Sequence, residues 1–221
     1  MLIRVLKVLL GIFALPACAG ISLSLYRHIG SISAVSLYQQ KYFLLGAIAY
    51  LIFHALVVKP SYLYILSHEL MHAIAALLTG ARVRSIKVSS KGGSVIATKN
   101  NIFIALSPYF APLYAVVVIL LWFIAERVLG GGIYHSFFLF AAGFALVFHI
   151  VLTIDFLKIR QTDLQYAGYL LSACLIYIIN LIVIGFILSL LFHDIVFSDF
   201  LKDCYLVSMA VYTGIFKQLF L

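Results

Sequence analysis

The chain has 221 residues, 65% of them hydrophobic and only 10% charged, with a mean hydropathy of +1.17. So few polar groups cannot coat a water-soluble globule of this size, which excludes an ordinary soluble domain and points to an integral membrane protein. The formal net charge of +8 falls mostly between apolar stretches, where anionic lipid headgroups attract it, so it is read as a mark of membrane topology and not as a nucleic-acid footprint.

A window of about 19 residues finds about six stretches able to cross roughly 30 Å of hydrocarbon, near 5–26, 42–58, 61–79, 102–125, 133–157 and 166–192. Spanning backbone must satisfy its own hydrogen bonds, and none of these stretches shows barrel-type alternation. The predicted fold is therefore all-α, a bundle of about six transmembrane helices forming one polytopic membrane domain. Two helices fill 1–60, a central core covers 61–170, and a last helix with an interfacial tail occupies 171–221. Arg4, Lys7 and the "ACAG" at 17–20 have the look of a signal peptide, but the apolar run continues through "ISLSLY", so an uncleaved first helix is expected. Cys18, Cys174 and Cys204 are odd in number and far apart, which suits packing residues better than a disulfide framework or a thiolate metal knuckle. Basic residues are more numerous in the loops on the side of Arg82, Arg84, Lys87, Lys91 and Lys99, and the positive-inside rule places the 80–100 loop in the cytoplasm.

Between the third and fourth stretches, two β-prone runs, Val83 to Ser89 and Ser94 to Thr98, flank Gly92 and Gly93 and predict a β-hairpin over 83–98 turning at the glycines. An exposed strand edge there can take up a substrate segment as a further strand, with Val83, Ile86, Val88 and Val95 as its apolar contacts. In "IALSPYFAPL", Pro108 and Pro112 remove backbone donors and predict a kink or broken turn in the fourth stretch. Gly130, Gly131 and Gly132 predict a flexible turn, and the mixed segment from Ser198 onward predicts an interfacial helix.

The chemistry concentrates in "SHELMHA", residues 67–73. Residues four apart stack on one helix face, so His68 and His72 can offer imidazole nitrogens to one cation at about 2.0–2.1 Å. Glu69 is turned roughly 100° from His68, which suits a base beside the metal better than a ligand. Seven histidines and two glutamates would give this HExxH spacing by chance about 0.002 times per chain, so coincidence explains it poorly. An ionisable trio within an apolar span is costly, and a dication such as Zn2+ partners it. A catalytic zinc site commonly has three protein ligands and an open position. Candidates for the third are Asp163 in "RQTDLQ", then Asp155 near the end of the fifth stretch, with His149 one and a half turns before it.

The run "SHELMHAIAALLTGARVRSIKVSSKGGS", an HExxH followed by small residues, a Gly turn and a basic hairpin, resembles the site-2 protease superfamily of intramembrane zinc metalloproteases, and in particular its shorter bacterial branch. Members of that branch also carry a Gln-x-Asp-Leu-like element, matched here by Gln161, Asp163 and Leu164; the likeness covers roughly 61–170. The wider superfamily has Gly after the aspartate where this chain has Leu164, and no asparagine follows Pro108 to match the family's Gly-Pro-containing helix. The resemblance implies a zinc ion held by His68, His72 and Asp163, water activated by Glu69, and cleavage of transmembrane protein substrates in a bacterial inner membrane. Two other classes fit the same residues less well: a divalent-cation transporter, which needs more polar stations than His54, His149 and Asn180, and an inactive metal-binding scaffold, which has no use for Glu69.

Overall fold

Apolar runs that can leave no peptide group unpaired coil into helices, and the structure, a computed structural model, is mostly helical; it describes residues 2–57, 59–129, 132, 134–159 and 161–221. In chain order the elements are α1 (Leu2–Gly30), α2 (Ala34–Gln39), α3 (Lys41–Leu56), α4 (Ser61–Leu78), β1 (Val83–Ser89), β2 (Gly92–Ala97), α5 (Ile102–Phe110), α6 (Leu113–Leu129), α7 (His135–Leu157), α8 (Thr162–Ala167), α9 (Tyr169–Leu191) and α10 (Phe197–Phe220). The predicted glycine turn falls partly outside the described residues, at Gly130 and Gly131, as does Arg160 of the following basic loop.

Among the described residues three helices, α1, α7 and α9, are long and apolar enough to cross a membrane. The expected count of about six is corrected: each of two bent pairs adds one span at most, which gives up to five. Lys41–Leu56 and Ser61–Leu78 meet at 120°, and α5 and α6 meet at 68°. The second break falls at Ala111 and Pro112, so the fourth apolar stretch is interrupted where proline withholds its donor. Large side chains such as Leu6 and Phe13 stand exposed along α1, a surface suited to hydrocarbon and not to water.

The chain divides into two units. The first joins residues 1–39 to 162–221. In it α10 packs along α1, with Gly20 against the backbone of Ser208, Ser24 donating to Asp203 at 2.8 Å and the Tyr212 hydroxyl donating to the carbonyl of Phe13. On α9, Tyr177 lies 2.8 Å from the Ser22 hydroxyl of α1.

The second unit is Gln40–Gln161. In it α3 and α7 pack closely, because two glycines bring the backbones together: a Cβ on Gly46 would overlap the Phe140 carbonyl, and one on Gly143 the Phe43 carbonyl. Tyr50, Tyr64, Phe148 and Leu152 form the buried core beside them. At one end Asp155 binds Lys59 at 2.5 Å, Lys158 at 2.9 Å and His54 at 3.4 Å. That carboxylate is thus taken up in tying α7 to the end of α3 and its following segment. A Gly46→Val exchange must push two helix backbones apart and is expected to cost about 1–3 kcal/mol or more. Thermal unfolding in detergent checks this, with Gly30→Ala, where a Cβ meets nothing within 4 Å, expected to leave the midpoint unchanged.

Candidate metal centre

The site begins with how α4 ends. Thr79 caps the helix and Gly80 takes φ +72°, a left-handed conformation that a side chain disfavours. The Ala81 amide then donates to Ala76 at 2.8 Å and the Gly80 amide to Leu77 at 3.0 Å, the paired bonds of a Schellman ending. Ala81 closes onto Ala75, Ala76 and Ile104, with Val83 and Ala97 of the hairpin packed against them. The chain leaves α4 abruptly and the hairpin folds back along that helix.

The hairpin turns around Ser90 and Lys91, with Ser89 paired to Gly92. The expected turn at Gly92 and Gly93 is therefore corrected: both glycines belong to β2. Gly93 has another function in the packing. A Cβ there would stand 2.5 Å from Cγ and 2.7 Å from Oε1 of Glu69, so the strand backbone lies directly on the glutamate side chain. Cross-strand partners share a face, which puts Val88, Ile86 and Val95 on the side that Gly93 turns to Glu69. Val83, Val88 and Val95 are half-buried, and Ile86 is 43% exposed.

Within α4, His68 and Glu69 are buried, at 9% and 5% exposure, and His72 is half-buried. The two imidazoles meet edge to face with centroids 4.8 Å apart, as the one-turn spacing predicts. Helix α5 holds both. Tyr109, wholly buried, packs edge-on against His68 at 5.0 Å. Nδ1 of His72 lies 2.8 Å from the Ile104 carbonyl oxygen, which can only accept; Nδ1 therefore carries a proton. The Asn101 side chain caps α5 by accepting from the Ile104 amide at 2.8 Å, and Ser107 Oγ donates toward Ile104 O at 3.1 Å and Met71 O at 3.3 Å. None of these α5 groups was singled out in the sequence; the one signal for them was Pro108, four residues after Ile104.

Asp163 sits in the first turn of α8. His68, His72 and Asp163 make up a group that could hold a metal ion. The donor chemistry fits zinc: two imidazoles and a carboxylate, one ring already oriented by a second hydrogen bond as metal-binding histidines usually are. Of the alternatives, Asp155 is held by its bases and His149 is buried in α7; neither belongs to that group. Compared with protein-family models, curated proteins and solved structures, the chain finds no match.

Because β2 rests on Glu69 through a residue without a side chain, Gly93→Val is expected to lift the hairpin from α4. Hydrogen exchange checks it: amides over 83–97 exchange faster, while those inside α4 keep their protection.

Proposed function

We propose that the chain is a multi-pass intramembrane zinc metalloprotease of the site-2 type, hydrolysing peptide bonds of membrane-spanning or membrane-proximal substrates. The observation that carries the reading is the His68, His72 and Asp163 donor set with a buried carboxylate, Glu69, one residue from the first ligand on the same helix. A zinc ion held by His68, His72 and Asp163 would supply Lewis acidity toward water and a peptide carbonyl. Glu69 accepts the proton of the attacking water and returns it to the leaving amine. With its Nδ1 proton engaged by the Ile104 carbonyl, His72 would offer Nε2 to the ion.

A peptide bond inside a helix is shielded by its own hydrogen bonds, so the substrate must unwind before it is cut. The hairpin over 83–98 holds the unwound segment as an added strand, bonding it through the backbone. Val83, Ile86, Val88 and Val95 are the proposed side-chain contacts, on the face that carries Gly93 to Glu69.

Exchange of Glu69 for Gln keeps the shape of the side chain and removes its basicity. The variant is expected to retain zinc, measured by elemental analysis, and to lose cleavage of a reporter helix by about 10²–10⁴-fold. Undiminished cleavage by this variant excludes the mechanism; cation uptake into sealed vesicles containing the protein would favour a transporter instead.

A further inference from the structure

The strongest unassigned feature is the carbonyl that His72 uses. In an uninterrupted α-helix the carbonyl of residue 104 accepts from the amide of residue 108. In α5 residue 108 is proline, which has no amide proton and whose ring crowds the carbonyl four residues back. We propose that Pro108 is a positioning residue for His72: it keeps the Ile104 carbonyl out of the helix ladder, so that this oxygen fixes which nitrogen of His72 faces the metal. The proposal rests on the metal reading for its purpose, and on hydrogen-bond geometry alone for its mechanism.

The count of donors and acceptors makes the case. A carbonyl oxygen has two lone pairs. At Ile104 they receive His72 Nδ1 at 2.8 Å and Ser107 Oγ at 3.1 Å, the one Ser107 proton being shared with the Met71 carbonyl at 3.3 Å. An alanine at 108 would bring a third donor, the ladder amide, aimed along the helix axis where the geometry favours it. One of the three must yield. The ladder amide is fixed by the backbone and Ser107 needs only a small rotation, whereas His72 reaches across from α4. The imidazole then loses the partner that selects its tautomer, and Nε2 no longer holds an assured lone pair. Proline in a helix interior normally destabilises it, and here its placement makes a ligand-orienting group from the main chain, where no side chain has to be buried for the purpose.

The test uses the full chain in detergent. With metal removed by chelator, ¹⁵N resonances of His72 in the wild-type protein are expected to show one tautomer, protonated at Nδ1; in Pro108→Ala they are expected to show Nε2 protonated or a mixture. Ser107→Ala in the Pro108→Ala background leaves one lone pair for the histidine again and is expected to restore the wild-type tautomer. Zinc affinity, read by competition with a chromophoric chelator, is expected to fall about 10–100-fold in Pro108→Ala and to recover in the double variant. The thermal midpoint of Pro108→Ala is expected to equal or exceed that of the wild type, since a helix interior gains a hydrogen bond.

An unchanged tautomer in Pro108→Ala overturns the proposal, as does a midpoint that falls together with affinity, which would make the proline a packing residue only. Failure of Ser107→Ala to restore the tautomer overturns it as well. If the wild-type protein takes up no zinc at all, the protease reading fails, while the metal-free tautomers still decide the place of Pro108.

Discussion

Three groups that prefer water, His68, Glu69 and His72, are carried on a helix with an apolar run on either side, and each must be given a partner without solvent. That requirement shapes the surroundings of α4. The cheapest partners in an apolar environment are main-chain groups and aromatic faces, since these add no further charge to be desolvated. The structure uses both, a carbonyl of α5 on His72 and the Tyr109 ring on His68. On the proposed reading a dication would answer what is left, because imidazole nitrogens and a carboxylate that are costly alone would become ligands together.

The same requirement explains why α4 is followed by a hairpin and not by another long helix. A helix covers its neighbour with side chains and keeps its backbone about 8–10 Å away. A strand bearing glycine brings its main chain to the surface it covers, and Gly93 does so at Glu69. The Schellman ending at Gly80 sets the direction of exit, and the small residues Ala75, Ala76 and Ala81 let the strands lie close. Sequence, turn chemistry and packing therefore agree on one outcome, a thin backbone layer over the glutamate.

How much of this was legible before the structure depended on whether the signal was local. The helical spacing of His68 and His72, the hairpin and the break at Pro112 follow from side-chain periodicity and from residues that lack a donor or a Cβ, and these are readable within a few positions. The number of spans was not, because the stretches 42–58 and 61–79 each look like a crossing by composition, and only the 120° bend between α3 and α4 shows that the pair makes one span at most. Gly92 and Gly93 misled for a related reason. Glycine signals either a turn or a close approach, and only the position of Glu69 decides between them. Asp155 shows the limit for charged residues: its place near the end of α7 suggested a ligand, but Lys59 and His54 lie nearer in space than their sequence distance implies and join Lys158, three residues on, in holding it.

The distribution of proline connects these points. Of the four prolines, Pro60 stands at the start of α4, Pro108 lies inside α5 and Pro112 follows its end, so three border the two helices that carry and orient the histidines. In a chain whose apolar segments would otherwise run on as featureless helices, each such residue withdraws a donor and so makes a main-chain oxygen available, or ends a helix where another must begin. Broken helices are tolerated in hydrocarbon only where something re-satisfies the backbone. At Ile104 the His72 imidazole and the Ser107 hydroxyl do so, and the gap that Pro108 leaves in the ladder of α5 meets the orientation of the His72 ring in one hydrogen bond.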